Sequence, residues 1–282
     1  MKNLLKILVI FFVFSISTSH AQKTKVGIRA GIGLPNLRSA DDNVFSKDYE
    51  SVAGFDGGIF GDFGITERFS IKAELAFSRK GGERNGMQPI PSATLNNTPE
   101  GQALAQFLQI AGIETIYAEF DNKAVFSYIE IPILAKYEWG LSDTWGIYVN
   151  AGPYVSFIIN PKQETKSDGV VPIYVDEAGT IPLMVPFPPD FQTLGPAAGD
   201  FTATTEIDKD LANMDFGALL GVGVTADISE HSELFIDIRG TYGFIPLQND
   251  KDTFGSVHMG SVAFAIGYSY SFDKKTNAAP KK

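Results

Sequence analysis

The sequence predicts an all-β protein: an eight-stranded antiparallel transmembrane β-barrel with two long extracellular loops. Three observations lead to this prediction. Eight stretches alternate apolar with small or polar residues, their connections are alternately long and short, and the chain opens with a secretory signal. Successive side chains of a strand point to opposite faces, so each stretch has one apolar face and one small or polar face. In the last stretch, 262–272, every even position is large and apolar or aromatic, and every odd one is Ala, Gly or Ser.

The first 21 residues are typical of a signal peptide. Two lysines precede a short apolar run, and Ser19 and Ala21 supply the small residues of the cleavage site. The alternative, a membrane-anchoring helix, needs a longer run of about 20 apolar residues. We therefore expect a signal peptide at 1–21, an outer-membrane β-barrel domain at 22–272 and a basic, disordered tail at 273–282.

The composition excludes several classes of partner and site. The formal net charge is −10, and loss of Lys2 and Lys6 with the signal takes it to −12. Such an acidic chain repels nucleic acid, which we exclude as a partner. The chain contains no Cys, so it has no disulfide, no thiolate metal site and no acylated Cys of the lipoprotein kind.

Each of the eight stretches is long enough to cross a bilayer at a tilt, and most strands of soluble proteins are shorter. The predicted strands are 24–34, 52–63, 69–80, 126–139, 145–159, 215–228, 233–245 and 257–272. Short connections at 64–68, 140–144 and 229–232, rich in Gly, Ser, Asp and Glu, are typical of periplasmic turns. The other connections, 35–51, 81–125, 160–214 and 246–256, would then face outside.

One face of these strands is apolar, and the other collects charges and glycines. The apolar face includes Ile131 and Ile236, and we expect it to meet lipid. An eight-stranded barrel is just wide enough for side chains to fill it, so acids and bases in near balance would pair across the lumen and leave no free pore. The predicted lumen charge cluster consists of Arg29, Asp56, Asp62, Lys72, Glu74, Glu130, Lys136, Glu138, Asp237 and Arg239.

Periodicity alone does not tell which face is inside, so a soluble secreted barrel or sandwich with an apolar core is the alternative. The strand lengths and the signal peptide favour the membrane barrel. Aromatic side chains gathered at the strand ends also favour it, because aromatic belts lie at membrane interfaces. These side chains are Phe63, Phe69, Trp139, Trp145 and Phe272.

Pro132 lies within the fourth predicted strand. Proline cannot donate a ladder hydrogen bond and is usually confined to edge strands or bulges. A closed barrel has no edge strand, so we expect a bulge at Pro132, or else a strand that begins after it.

Several short segments form a recognisable set: the opening strand at 26–31, the Gly-rich 57–60, the acidic 72–75, and Tyr-Ile-Glu-Ile-Pro at 128–132 followed by Ala-Gly-Pro at 151–153. In them the chain resembles a family of Bacteroidota outer-membrane β-barrel proteins that includes the secretion-associated protein PorT. The resemblance implies a small barrel in the cell outer membrane, inserted by the general barrel-assembly machinery, and it implies no activity. The partners expected are outer-membrane lipid and lipopolysaccharide and, through the long loops, another envelope protein.

The two longest loops carry candidate contact residues. A helix is predicted from Pro99, with Thr98 as its N-cap and Gly112 as its stop. The second loop has a Pro-rich apolar segment at 170–196. The predicted loop contact surface consists of Leu104, Phe107, Leu108, Met184, Phe187 and Phe191. The alternative is that these side chains pack on their own loop or cover the barrel mouth.

Catalysis has little support in the sequence. His231 and His258 belong to no Ser, Cys or metal-ligand motif. A dyad of His258 with Asp250 or Asp252 is the one arrangement to consider. We predict a protein that is not an enzyme and has no cofactor and no metal site. It would be a non-enzymatic barrel with a closed lumen, acting through its loops in partner binding or envelope structure, or alternatively a small passive porin-like channel.

Overall fold

The computed structural model describes residues 24–39, 43–97, 99–167, 172–183, 201–206 and 211–273. The predicted signal peptide and all of the predicted tail except Asp273 lie outside these residues.

Eight long strands form a closed antiparallel ring, which confirms the predicted fold. In order around the ring they are β1 (Thr24–Ser39), β3 (Gly54–Gly64), β4 (Phe69–Arg84), β7 (Asp121–Gly140), β8 (Trp145–Ser167), β11 (Met214–Asp227), β12 (Ser232–Gly243) and β13 (Val257–Ser271). The last strand pairs with the first, so that Ile28 of β1 lies between Ile59 of β3 and Tyr268 of β13. A closed ring leaves no strand edge, which is what a sheet surrounded by lipid requires.

Shorter elements lie at one end of the ring. They are the strands β2 (Glu50–Ser51), β5 (Met87–Pro91), β6 (Thr115–Glu119), β9 (Ile173–Tyr174) and β10 (Phe201–Glu206), a 3-10 helix (Ser92–Asn97), and the helices α1 (Pro99–Ile110) and α2 (Lys251–Phe254). No helix among the described residues combines the length and the apolar character needed to cross a membrane.

The connections define two ends of the barrel. At the turn end, strands are joined through tight hydrogen-bonded turns, as where the N–H groups of Ile65 and Leu141 donate to the carbonyls of Phe69 and Trp145. The long connections and all of the shorter elements lie at the opposite, loop end. This alternation is the one that the sequence predicts.

The alternation of side chains separates an apolar outside from a polar inside. Outward side chains such as Ile236 and Ile266 are 60% and 68% exposed, while inward neighbours such as Asp237 are buried. The alternative of a soluble barrel with an apolar core is therefore wrong. Because the exposed face is the apolar one, the barrel needs an apolar surrounding.

Four strands run further at the loop end than the sequence predicts, and the first of them, β1, was predicted to end at Leu34 but pairs with β13 up to Ser39. The prediction ends β4 at Lys80, begins β7 at Phe126 and ends β8 at Ile159, whereas β4 and β7 still pair at Arg84 and Asn122, and β8 pairs with β10 up to Ser167. The predicted loops at 81–125 and 160–214 are therefore partly strand. These extensions have polar residues on both faces, so they lack the apolar alternation by which the other strands are recognised.

The expected bulge at Pro132 is wrong. The register of β7 against β4 is the same on both sides of it, with Ile133 opposite Ala73 and Glu130 opposite Ala76. The one register shift between β7 and β8 lies between Val125 and Ser127, next to Asn160, which has a φ of 50°. The fully buried Pro132 is accommodated by a gap in the ladder with β4, so the missing donor does not displace the strand.

A small loop module continues the hairpin of β4 and β7. Met87 of β5 faces Glu119 of β6 in the same register in which Arg84 faces Asn122, and β9 adds a third strand beside β6. Helix α1 packs here and ends before Gly112, which has a φ of 72°. The predicted helix and its stop are confirmed, while its predicted N-cap, Thr98, lies outside the described residues.

We expect Ile236→Arg to destabilise the barrel in lipid vesicles by about 2–4 kcal/mol, because it places a charge on the lipid face near mid-membrane. The measurement is the free energy of unfolding in urea. The matched control is Ile110→Arg on the loop module, where the native side chain is 89% exposed, and it should change stability little. Equal stability of the two variants would contradict the orientation.

Orientation is tested separately with fluorophores on cysteines introduced at Ile236 and Ser269. The chain has no native Cys, and these two side chains point to opposite faces, one exposed and one buried. Quenchers carried on lipid tails should quench the label at 236 and spare the label at 269. The reverse pattern would exchange our lipid and lumen faces.

Candidate functional site

The lumen is the part of the molecule in which charged side chains converge. All of the predicted lumen charges except Glu138 are buried, and they come from β1, β3, β4, β7 and β12. Each lies at an inward position of its strand, so the period-two pattern delivers it to the barrel axis. Once inside, the charges separate into three groups along that axis.

Glu74 of β4 is the centre of the largest group. Its Oε2 accepts hydrogen bonds from Arg29 Nε at 3.0 Å and from Arg239 Nη1 at 2.8 Å. Its Oε1 lies 2.9 Å from Lys72 Nζ. Arg29 also forms an ion pair with Asp56 of the neighbouring strand. One carboxylate therefore binds cations from β1, from its own strand and from β12, which lies across the ring.

A second carboxylate, Asp237, lies beside Arg239 in this group. Arg239 donates to both of its oxygens, through Nε at 2.8 Å and Nη2 at 2.9 Å. The Tyr148 hydroxyl of β8 donates to Asp237 Oδ2 at 2.7 Å. This central cluster of Arg29, Asp56, Lys72, Glu74, Asp237 and Arg239 contains three cations and three carboxylates, so its formal charges cancel.

A second group lies nearer the turn end. Lys136 Nζ lies 3.2 Å from Asp62 Oδ2 and 2.8 Å from Glu138 Oε2, and Glu138 is partly exposed to solvent. Lys25 Nζ lies 2.8 Å from Glu233 Oε2 and 3.8 Å from Glu138 Oε2. The third group, nearer the loop end, is the pair of Lys80 Nζ and Glu130 Oε1 at 2.7 Å.

Three of these charges are absent from the predicted cluster: Lys25, Lys80 and Glu233. Each lies an even number of residues from a predicted inward charge on its own strand, as Lys25 does from Arg29 and Glu233 from Asp237. Parity along the strand was therefore a sufficient signal to find them. No pattern in the sequence gives the pairing itself, because it depends on which strands face each other across the ring.

Aromatic and aliphatic side chains fill the space between the charged groups. Phe60 and Phe235 meet edge to face with ring centroids 5.6 Å apart, and Lys72 Nζ lies 3.9 Å from the Phe60 centroid. A further layer consists of Leu134, Tyr154 and Leu219. Inward glycines make room for these rings: a Cβ at Gly267 would lie 2.1 Å from the Phe235 ring.

Little space remains between these layers. A cavity of about 10 Å³ separates the central cluster from the group at the turn end, among Phe60, Asp62, Lys136 and Tyr148. A cavity of this size is at the lower limit for a single water molecule.

The loop end of the lumen is apolar. Ala124, Phe126, Tyr128 and Met259 of the barrel pack with Leu211 and Leu247, which come from the connections. Above them, a cavity of about 190 Å³ lies beside Phe45, Tyr49 and Phe254. Burial raises the pKa of the Tyr49 hydroxyl above its usual value, so this group stays neutral there.

The predicted loop contact surface is not exposed where the structure describes it. Leu104 and Leu108 are buried with Ile116 in the core of the loop module, and Phe107 packs against them. Helix α1 turns its apolar face into its own loop, where Leu104 and Leu108 form a core with Ile116. This part of the surface prediction is therefore wrong, and Met184, Phe187 and Phe191 lie outside the described residues.

The two histidines of the barrel have structural contacts. His258 Nδ1 lies 3.1 Å from the Gly243 carbonyl oxygen, and its ring stacks on Tyr242. His231 Nδ1 lies 2.9 Å from the Ser271 carbonyl oxygen. His258 is thus turned to the backbone of β12 and does not form the dyad considered from the sequence. The described residues include no group of three or more His, Asp or Glu side chains arranged to hold a metal ion.

Comparison with protein families gives one match over most of the chain. A family model described as "Outer membrane protein beta-barrel domain" matches residues 19–249. Comparison with curated protein sequences gives no match.

Comparison with solved structures returns bacterial surface barrels. The chain is similar to NspA, a Neisserial surface protein, with 12% identity and a TM-score of 0.39 over 90% of this chain and 100% of that chain. It is similar to OprG from Pseudomonas aeruginosa with 10% identity and a TM-score of 0.40, over 89% of this chain and 97% of that chain. It is similar to Ail of Yersinia pestis with 8% identity and a TM-score of 0.35, over 88% of this chain and 99% of that chain.

We expect Glu74→Gln to destabilise the barrel by about 3–5 kcal/mol, because it leaves buried cations without their shared carboxylate. The measurement is the free energy of unfolding in lipid vesicles. The matched control is Glu177→Gln, which removes the carboxylate of an exposed pair with Lys47 and should leave stability nearly unchanged. A Glu74 variant as stable as this control would contradict the role assigned to the central cluster.

We expect Leu108→Asp to unfold the loop module without unfolding the barrel, because it buries a charge in the module's own core. Hydrogen exchange should lose protection across 87–119, while heat-modifiable migration on gels is retained. Ile110→Asp, two residues along the same helix at an exposed position, serves as the control. Loss of the folded barrel in the Leu108 variant alone would show that module and barrel fold as one unit.

Proposed function

Because the chain belongs to the outer membrane protein β-barrel domain family, we propose that it is a non-enzymatic barrel with a closed lumen that acts through its extracellular loops. The protein lies in the outer membrane, with its apolar strand faces against lipid. Its role is partner binding or envelope structure at the loop end, and its lumen conducts neither ions nor solutes.

One observation carries the closed lumen: the central cluster joins opposite walls of the barrel. Arg239 of β12 and Arg29 of β1 share the carboxylate of Glu74 on β4. A continuous water path would have to separate these groups, and leaving a buried charge unpaired costs several kcal/mol. The aromatic layer on one side and the apolar cluster at the loop end add two further obstructions.

The non-enzymatic part of the proposal rests on the contacts of the candidate side chains. His258 is held by the Gly243 carbonyl and by Tyr242, and Glu74 and Asp237 are held by arginines. A general base must reach a substrate proton, and these groups are engaged in the barrel wall and its filling.

The extracellular part of the proposal rests on the loop module. The module has its own core and its own three-stranded sheet, built on a hairpin that continues two barrel strands in register. A rigid platform of this kind suits contact with another envelope protein. The acidic chain repels nucleic acid, and its lipid-facing strands suit outer-membrane lipid and lipopolysaccharide.

We further propose a closer relationship within the family and a cleaved signal peptide. The segments at 128–132 and 151–153 support a place among the PorT-like barrels of Bacteroidota. The start of the chain supports secretion through a signal peptide at 1–21, which leaves a barrel domain at 22–272 and a basic tail at 273–282.

We expect the purified protein to show no steady conductance in planar bilayers. The double variant Glu74→Ala, Arg239→Ala removes one cation and one carboxylate from the central cluster, leaves the formal charge unchanged, and should open small conductance steps. Its signal shows that the recording detects a path through the lumen. Steady conductance by the unaltered protein would overturn the closed lumen and support the alternative, a passive porin-like channel.

A further inference from the structure

Three neighbouring strands carry cations where their apolar outward faces end. On β4 the outward residue after Phe77 is Arg79. On β7 the first outward charge towards the loop end is Lys123, and on β8 it is Lys162. The next outward charge on each strand, farther from the apolar band, is an acid: Glu83, Asp121 and Glu164. The sign of the charge thus changes with height above the band on all three strands.

The strand register spaces these cations along the outer face, with Arg79 opposite Ser127, four residues from Lys123 on β7. Val125 lies opposite Gly81 on one side and opposite Lys162 on the other. Lys123 lies two residues further along β7, with Glu83 and Glu164 as its cross-strand neighbours. The register shift in front of Val125 is what turns Lys162 outward, since without it that position would point into the lumen.

Arg79 and Lys123 line one cleft on the outer face. The cleft has a volume of about 380 Å³, and its apolar walls include Ile32, Phe55 and Val125, with Gly54 and Gly81 between them. We call it the rim cleft. Its walls continue the lipid-facing band, since Ile32 and Phe55 are 59% and 50% exposed.

Two of the cations that line the rim cleft, Arg79 and Lys123, are available to a ligand, whereas the third, Lys80, pairs with Glu130 inside the barrel. In the described part of the chain, no ion pair includes Arg79, Lys123 or Lys162. Arg79 is exposed and Lys123 is partly exposed. By contrast, Lys25, Arg29, Lys72, Lys80, Lys136 and Arg239 of the lumen each have a carboxylate within 4.0 Å, and the buried Arg84 at its loop end donates to the Val44 carbonyl.

We propose that the rim cleft binds the phosphate group of a phosphorylated glycolipid of the outer leaflet. A guanidinium binds two phosphate oxygens at once, and an ammonium adds a compact charge beside it. The apolar walls below these cations would contact an acyl chain of the same lipid. A soluble anion would use the cations alone, whereas a lipid uses both halves of the cleft, and its phosphate lies at the height where the apolar band ends.

The test uses the full-length protein in detergent micelles and native mass spectrometry, with a synthetic monophosphorylated lipid A and its dephosphorylated form as probes. We expect the phosphorylated lipid to bind more tightly. Arg79→Gln and Lys123→Gln should each weaken its binding by roughly ten-fold, the loss expected for one charge-assisted contact. Neither variant should change the binding of the dephosphorylated lipid.

Two matched controls carry the same substitutions elsewhere. Arg68→Gln changes an exposed arginine at the turn end, and Lys251→Gln changes an exposed lysine beside β12 and β13. Both should bind the phosphorylated lipid as the unaltered protein does, and heat-modifiable migration checks that every variant is folded. Equal losses in the controls, or equal binding of the two lipids by the unaltered protein, would overturn the proposal.

Inorganic phosphate separates a lipid site from a site for a free anion. Millimolar phosphate should not displace the phosphorylated lipid, because it cannot occupy the apolar half of the cleft. Displacement at concentrations comparable to the lipid would assign the cleft to a soluble anion and reject the lipid. The outcome is independent of the conductance of the lumen, since the rim cleft lies on the outer face.

Discussion

The structure depends on charge pairing inside a narrow ring. A barrel of eight strands that turns its apolar residues outward must fill its interior with the remaining ones, and here many of these are charged. Buried charges are tolerated only when they are paired and hydrogen-bonded. Glu74 meets this condition for Lys72, Arg29 and Arg239 together, and it thereby connects strands that share no backbone ladder.

The filling also explains the distribution of glycines. Large inward rings lie over the neighbouring strand and need a position without a side chain there, which Gly267 provides for Phe235 and Gly223 for Tyr148. Each glycine is the register partner of its ring on the neighbouring strand, so bulky and empty inward positions lie side by side along the wall, and the charged groups occupy the layers between. The lumen is filled for this reason, so the features that distinguish this protein from other filled barrels lie at its rim and in its loops.

The sequence was informative wherever burial imposed a period of two. It predicted the eight strands, the short turns and the outward apolar face, because lipid on one side and a packed lumen on the other leave a strong alternation. The sequence did not predict strand where polar residues lie on both faces, as in the extensions of β4, β7 and β8. Pro132 misled it because a gap in one ladder, rather than a bulge, absorbs the missing donor. The sequence could not predict the partners of Glu74, because they depend on which strands face each other once the ring closes. The burial of Leu108 was beyond it too, because the core of the loop module comes together only in three dimensions.

The in-register continuation of β4 into β5 fixes how far the protein reaches from the cell. From Arg79 at the edge of the apolar band to Pro91, the chain follows one hairpin, with a break in the strand at Gly86, which has a φ of 90°. At the rise and tilt of barrel strands, this length corresponds to a height of at most roughly 30 Å. The tip of the loop module is therefore lifted clear of lipid head groups and the first sugars attached to them. In the described part of the chain, a large particle that approaches from outside, such as an antibody or a phage, therefore meets the loop module before it meets the barrel.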